Sequence, residues 1–186
     1  MKLSVTPRVV EKKRESKRLR RDGKIPAVIY GKALENATIS IDEKAFCDAM
    51  RSIPKGRLAT TRFNLTGESG NPREAIVKDI QYHPTTYKIL HLDFEELQPD
   101  VKVNINVPIV FTGVVDCVGI KLGGVLRPVI RSLRVSCYPK DIPAYFELNV
   151  KNLKLKQYLR LSDISIPEEV RPLADLNEVA VVIAKR

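Results

Sequence analysis

Apolar and polar residues alternate most clearly in the second half of the chain. Between positions 101 and 111, every second residue is apolar, from Val101 to Phe111, and the residues between are Lys, Asn, Asn, Pro and Val. This period of two predicts a strand with one buried face, and Pro108 indicates an edge or a bulge. The same alternation recurs at 133–137 and 146–150, without convincing helical periods. The pattern predicts an all-β, sandwich-like domain.

The first half combines short strands with one clear helix. Segments 26–31, 37–41, 60–65, 74–80 and 87–94 are apolar stretches bounded by Gly, Pro, Asn or Asp, as is typical of strands. In 43–52, Asp42 is a suitable N-cap, and apolar residues recur at three- and four-residue steps, namely Ala45, Phe46, Ala49, Met50 and Ile53. Several short strands with one or two helices suggest a small closed barrel, which has no exposed sheet edges.

A break in the pattern separates the two halves. The segment "FEELQPDVKV" interrupts the apolar alternation with acidic and polar residues and Pro99, and a new alternation starts at Val101. A length of 186 residues is comfortable for two small domains. We therefore expect a first domain over residues 1–95 and a second over 96–186.

Positive charge is concentrated at the start of the chain. The whole sequence has 32 Lys and Arg against 22 Asp and Glu, but residues 1–31 alone have ten basic and three acidic residues. Such a local positive field favours a polyanion, either nucleic acid or an anionic membrane. A membrane is the weaker interpretation, because no apolar run approaches about 18 residues and the basic segment lacks an apolar helix face.

The basic run leads directly into a predicted strand. The segment "SKRLRRDG" predicts a short helix, with Ser16 as its cap and Gly23 as its end. The strand that follows ends in Tyr30 and Gly31, where a tyrosine could belong to the core or contact a ribose or base. A charge run that enters an ordered strand is less typical of a plain solvated surface and favours a phosphate-binding surface.

Other candidate chemistry is sparse. His91 and Asp93 are two residues apart on a strand and so share a face, as a hydrogen-bonded surface pair or as part of an RNA-contacting surface. No nucleophile or third metal ligand accompanies them, so neither catalysis nor a metal site is expected. The glycines in "GVVDCVGIKLGG" match no phosphate-loop spacing and predict turns and bulges. Three separated cysteines without paired spacing indicate small buried residues and a cytoplasmic protein.

Three motifs resemble a known family. The segments "SKRLRRDGKIPAVIYG", "VKDIQYHP" and "HLDF" resemble the bacterial 5S rRNA-binding ribosomal proteins called L-twenty-five. The segments "VPIVFTGV", "KLGGVL", "CYPKDIPAYFELNV" and "LSDISIP" resemble the C-terminal extension of its long, two-domain form, the Ctc or general stress protein type. The resemblance covers essentially the whole chain.

The resemblance implies a six-stranded β-barrel with helices, then a mainly β domain, in a non-enzymatic constituent of the large ribosomal subunit. It implies that the first domain binds an internal-loop region of 5S rRNA, with magnesium ions held by the RNA and no cofactor held by the protein. Neighbouring ribosomal proteins and rRNA are the other implied partners, with no membrane and no small-molecule substrate. The implied RNA contacts are Arg8, Lys13, Ser16, Lys17, Arg18, Arg20, Tyr30, Lys78, His91 and Asp93.

The sequence departs from short members of the family at a few positions, and two other functions stay open. Lys17 stands where arginine is common, Lys78 where some short forms have glutamine, and "VVEKKRES" replaces a loop that often has glycines. One alternative is an RNA-associated stress factor that acts away from the ribosome. The other is a nuclease or RNA-modifying enzyme that uses His91 and Asp93.

Overall fold

The computed structural model describes residues 1–8, 13–32, 35–67 and 72–185. For residue 13 it describes the backbone but not the side chain. The chain forms two compact units, Met1–Val101 and Lys102–Arg186. Leu97 lies in the first unit, where it is buried and its backbone N–H donates to the carbonyl of Glu74 at 2.8 Å.

The first unit is a closed six-stranded barrel, as the sequence predicts. The elements are β1 Lys2–Pro7, α1 Lys13–Arg21, β2 Lys24–Tyr30, β3 Ala37–Asp42, α2 Glu43–Ser52, β4 Arg62–Thr66, β5 Pro72–Tyr82 and β6 Ile89–Glu96. The strands follow the order β1-β3-β2-β6-β5-β4, and β1 closes the barrel by pairing antiparallel with β3 and parallel with β4. β1 is missing from the sequence prediction, although Leu3 and Val5 alternate with polar residues and are buried.

Three phenylalanines form the centre of the barrel core. Phe63 is fully buried, and its ring centroid lies 6.2 Å from that of Phe46 and 6.1 Å from that of Phe94. The ring of Phe94 meets Phe63 edge-on, an arrangement that aromatic quadrupoles favour. Aliphatic side chains from all six strands surround this cluster.

The helix α2 matches the prediction in its limits and its cap. The Asp42 carboxylate accepts a hydrogen bond from the backbone N–H of Ala45 at 2.8 Å, which satisfies a free N–H of the first turn. Phe46 and Ile53 are buried, but Ala45 is exposed, so the apolar face is narrower than predicted.

The helix α1 begins earlier than predicted. It starts at Lys13, so Ser16 lies inside the helix and the prediction that Ser16 caps it is wrong. The end is as predicted, because Gly23 has a φ of 72°, a left-handed conformation that glycine adopts without strain. After this turn, the backbone N–H of Glu43 donates to the Gly23 carbonyl at 2.9 Å, which fixes the turn against α2.

Two irregularities interrupt the pairing of β5 with β6. The partner of Phe94 is Val77 and the partner of Asp93 is Asp79, so Lys78 is an additional residue on β5. On β6, Leu90 is additional in the same way, between His91 and Ile89. Such bulges bend a strand and change the direction of its side chains.

The second unit has two sheets, which agrees with the predicted mainly β domain. The strands are β7 Val103–Thr112, β8 Gly124–Pro128, β9 Ser132–Cys137, β10 Phe146–Asn149, β11 Tyr158–Arg160, β12 Arg171–Pro172 and β13 Val179–Lys185, with one short helix, α3, at Val118–Lys121. One sheet has the order β10-β7-β9-β12 and the other β11-β13-β8.

Pro108 lies where β7 changes partners. Residues 103–108 pair with β9, and residues 109–112 pair with β10. β7 lies between β9 and β10 in the strand order, but each of its halves pairs on one side only among the described strands, which agrees with an edge at Pro108. Proline has no backbone N–H to donate to a neighbouring strand. At a position where the strand changes partners, the loss of that hydrogen bond destabilises the sheet little.

The glycines and cysteines largely follow the predictions. Gly113 and Gly123 have positive φ and lie in turns, whereas Gly119 lies in α3, a helix that was not predicted. Cys117 and Cys137 are fully buried, and Cys47 is partly buried.

Candidate nucleic-acid interface

The outer side of α1 is a continuous basic surface. Arg14, Lys17, Arg18 and Arg21 are exposed and recur at steps of three and four residues, which places them on one side of the helix. We call these four residues the basic face of α1. Its only ion pair among the described residues joins Arg18 Nε to Asp22 at 3.8 Å, and Arg18 stays 86% exposed, so water screens the pair strongly.

Two residues of the basic face, Arg14 and Arg21, were not among the predicted contacts. Their spacing from Lys17 and Arg18 is a helical period that the sequence contains, once α1 is extended back to Lys13. The predicted contact Lys13 is the first residue of α1, and its side chain lies outside the described part of the structure.

The inner side of α1 holds the helix against the barrel. The helix packs on β2, and Arg20 Nε donates a hydrogen bond to the Leu90 carbonyl at 3.0 Å. Leu90 is the additional residue of the β6 bulge, so its carbonyl is available to a partner outside the ladder. Arg20 thus ties the basic helix to the start of β6.

Arg8 approaches the same side of the helix. Its guanidinium donates to Ser16 Oγ at 3.4 Å, so these two predicted contacts are neighbours. Burial, and then the positive charge of Arg20, lower the pKa of Arg8, while Glu15 partly offsets this. The Nε of Arg8 is buried without a hydrogen-bond partner among the described residues. The positive charges of Arg8 and Arg20 add to each other and strengthen the attraction of this side of the helix for an anion.

A polar surface lies beside the helix on β2, β5 and β6. His91 Nδ1 and Asp93 Oδ1 lie 2.6 Å apart, as expected from their shared strand face. Asp79 pairs with Asp93 across the strands, and Gln81 pairs with His91. Since Arg20 binds the carbonyl of Leu90, the residue before His91, this surface begins where α1 is attached.

Tyr30 belongs to the same surface, at the end of β2. Its partner on β6 is Glu95, and its side chain is half-buried. Burial raises the pKa of Tyr30, and the carboxylates of Glu95, Asp93 and Asp79 raise it further. A raised pKa keeps the phenol protonated at neutral pH, so the hydroxyl can donate a hydrogen bond as well as accept one.

Lys78 is engaged within the protein. Its Nζ lies 2.6 Å from Glu95 Oε2, and the two side chains are 33% and 22% exposed. We define the polar strand face as six residues on β2, β5 and β6, namely Tyr30, Lys78, Asp79, His91, Asp93 and Glu95. It carries three carboxylates against one lysine, so its charge is opposite to that of the basic face of α1. The site therefore combines a surface for phosphates with a surface for neutral hydrogen-bonding groups.

No helix in the described ranges is both long and apolar enough to cross a membrane. Among those residues, no group of three or more His, Cys, Asp or Glu side chains is placed to hold a metal ion.

Comparisons with known proteins agree with the two units. Residues 3–94 match the model of the Ribosomal L25p family, and residues 102–186 match that of "Ribosomal protein TL5, C-terminal domain". Proteins named "Large ribosomal subunit protein bL25" are 50% identical in Chlamydia trachomatis serovar A, 50% in Chlamydia muridarum and 45% in Chlamydia pneumoniae. Each alignment covers 186 residues, all of this chain and all of the relative. These relatives carry the name of a ribosomal protein and not of an enzyme, in agreement with the expected absence of catalysis.

Proposed function

Because this chain belongs to the ribosomal L25p family, we propose that it is a structural constituent of the large ribosomal subunit whose barrel binds an internal-loop region of 5S rRNA. The main support for this proposal is the exposed basic face of α1, which Arg20 anchors directly beside the polar strand face. Relatives named as large-subunit proteins over their full length support the ribosomal assignment.

In this proposal the two surfaces have different tasks. The basic face of α1 contacts phosphates on both sides of an RNA groove, since a straight helix can present charges to two backbone strands. Arg8 and Arg20 strengthen the field from the barrel side, and Ser16 supplies a hydroxyl next to Arg8. The charge determines the affinity but not the choice of RNA.

The polar strand face provides the recognition. Carboxylates repel phosphates but accept hydrogen bonds from ribose 2′-hydroxyls and base amino groups, which line a widened minor groove. The His91 and Asp93 pair is fixed by its own 2.6 Å contact, and Tyr30 adds a hydroxyl that donates and accepts. Magnesium ions belong to the RNA in this scheme, and the protein needs no cofactor. The protein binds 5S rRNA in the cytoplasm, on the ribosome, next to other large-subunit proteins and rRNA.

Replacing Arg20 tests whether its hydrogen bond to the Leu90 carbonyl joins α1 to β6. Arg20→Ala should weaken binding to 5S rRNA by roughly 1–3 kcal/mol, because it removes a charge and the hydrogen bond to Leu90. It should also lower the free energy of unfolding by about 1 kcal/mol. The matched control is Arg18→Ala, which removes an equally charged but 86% exposed side chain.

The two variants are compared by RNA titration and by chemical denaturation. Arg18→Ala should weaken RNA binding while its stability stays within about 0.5 kcal/mol of wild type. If Arg20→Ala leaves both affinity and stability unchanged at physiological salt, Arg20 is neither an anchor nor part of the site.

Salt dependence tests the role of phosphates. With at least four phosphate contacts, the logarithm of affinity should fall against the logarithm of salt with a slope of about −3 or steeper. Doubling the salt concentration then weakens binding to 5S rRNA roughly tenfold. A slope near zero, measured by gel shift over several salt concentrations, would be incompatible with binding through the basic face of α1.

Ribosome association is tested by sedimentation of lysates from unstressed cells. We expect to find the protein in near-stoichiometric amounts on large subunits. A protein found mainly away from ribosomes, or on them only under stress, would instead favour an RNA-associated stress factor.

A further inference from the structure

Around β9 and β12, the outer side of the sheet β10-β7-β9-β12 in the second unit is polar and basic. On its inner side, Val103, Ile105, Leu133 and Val135 are buried. Their strand neighbours point the opposite way and form cross-strand rows. In one row Asn104 pairs with Ser136, and Ser136 pairs with Arg171.

The next row continues the same surface. Asn106 pairs with Arg134, and the backbone N–H of Leu173 donates to the Arg134 carbonyl at 2.9 Å. We call Asn104, Asn106, Arg134, Ser136 and Arg171 the basic sheet face. Its amides and hydroxyl both donate and accept hydrogen bonds, and its guanidinium groups only donate.

Among the residues that the structure describes, the two arginines have no carboxylate partner. Neither Arg134 nor Arg171 forms an ion pair with any described residue, and both are exposed. They are diagonal neighbours on β9 and β12, and such positions lie roughly 7–8 Å apart. Two neighbouring guanidinium groups repel each other, and a bound anion would remove that repulsion.

No residue of the four strands neutralises them nearby, and the exposed Glu168 and Glu169 in the turn before β12 form no ion pair with Arg171. The only acidic residue in the four strands is Glu147, which pairs with Val110 near the far end of β7. Val110 is four residues beyond Asn106, or roughly 13 Å along the strand. This exceeds the Debye length of about 8 Å at physiological ionic strength, so Glu147 has little effect on the arginines.

An aromatic residue and a lysine extend the surface beyond β9. Tyr138 follows β9 and is 39% exposed, and Lys102 Nζ lies 5.1 Å from the centre of its ring. The contact holds an ammonium over one side of the phenol ring. An exposed tyrosine next to fixed positive charges is a surface on which an unpaired base can stack.

We propose that the basic sheet face binds ribosomal RNA, as a second RNA-binding surface separate from that of the barrel. The inference rests on the proposed ribosomal function and assigns an RNA partner to the second unit. Guanidinium groups bind phosphates, asparagines and serine bind 2′-hydroxyls and base edges, and Tyr138 stacks. A protein partner is disfavoured because the face lacks the large apolar or aromatic centre of a typical protein interface.

The first test measures binding of the full chain to large ribosomal subunits that lack this protein. The double variant Arg134→Glu and Arg171→Glu should bind these particles at least about tenfold more weakly than wild type, because phosphates now meet negative charge. Its affinity for isolated 5S rRNA should not change, since both positions lie in the second unit.

The matched control makes the same change of charge on the other sheet. Arg127 on β8 and Lys185 on β13 are also exposed, so Arg127→Glu with Lys185→Glu alters net charge equally. This control should bind particles within about twofold of wild type. Equal losses in both double variants, or no loss in either, would overturn the inference.

A crosslinking experiment covers the case in which the glutamate variant folds poorly. The photoreactive residue p-azidophenylalanine replaces Tyr138 in one full-length protein and Tyr158 in another. Tyr158 is 49% exposed on β11 of the other sheet, with Arg160 5.6 Å from its ring centre, so its surroundings are similar. Within assembled subunits, the Tyr138 position should crosslink to ribosomal RNA and the Tyr158 position should not.

Other outcomes of the crosslinking contradict the inference. Crosslinks from position 138 only to protein, no crosslinks at all, or equal RNA crosslinks from both positions would overturn it. A full chain that binds neither 5S rRNA nor the subunits would instead refute the proposed function itself.

Discussion

Replacing the four residues of the basic face of α1 by alanine should weaken binding of the protein to 5S rRNA about 1000-fold. Each phosphate contact contributes roughly 1 kcal/mol, and 1.4 kcal/mol corresponds to a factor of ten. The side chains of Arg14, Lys17, Arg18 and Arg21 are exposed, so little packing is lost. Alanine is the best helix former, and α1 should persist in the variant. The affinity is measured by titration at physiological salt.

A matched variant separates this effect from a loss of net charge. Lys2, Lys44, Arg51 and Lys55 are also exposed and lie in the first unit, but outside α1. Their replacement by alanine lowers the charge by the same amount, and we expect less than a tenfold loss of affinity. If both variants lose affinity equally, the protein attracts RNA through its overall charge, and the helix has no special role.

Replacing Phe63 by alanine should lower the free energy of unfolding of the barrel by about 3–5 kcal/mol. Phe63 is fully buried and contacts the rings of Phe46 and Phe94, so the truncation leaves a cavity at the centre of the core. Domains of this size have about 5–15 kcal/mol in total, so a large part of the stability is lost. The chain contains no tryptophan, so unfolding is followed by circular dichroism in urea and by amide exchange in β2 and β6.

Two controls accompany the Phe63 variant. Phe63→Leu keeps most of the volume and should cost clearly less than Phe63→Ala. Leu133→Ala empties a buried position of the second unit and should leave the affinity for 5S rRNA unchanged. A Phe63→Ala protein with wild-type stability would show that the three rings do not form the centre of the core.

Much of the fold could be predicted because local signals and tertiary structure agree. Helix α2 has its predicted limits and its predicted cap at Asp42, and Phe46 and Ile53 of its predicted apolar face are buried. The His91 and Asp93 pair follows from the period of a strand. β1 was missed because six residues with two buried positions give a weak pattern, although this strand closes the barrel.

The candidate site was harder to predict, because it depends on contacts that the sequence does not encode locally. A run of basic residues does not show that Arg20 turns inward to the Leu90 carbonyl while its neighbours face solvent. The bulges at Lys78 and Leu90 arise from pairing between strands, and no single-strand pattern reveals them. An RNA contact of Lys78 stays a prediction, and within the protein Lys78 forms an ion pair with Glu95.

Selective RNA recognition by the barrel is tested most directly by a gel-shift titration of the full chain against 5S rRNA, with tRNA as competitor, at two salt concentrations. We expect a complex that survives excess tRNA and weakens steeply as salt rises, because the basic face of α1 supplies affinity and the polar strand face supplies selectivity. Equal affinity for 5S rRNA and tRNA would contradict this expectation, since the protein would then attract any polyanion and the polar strand face would recognise nothing.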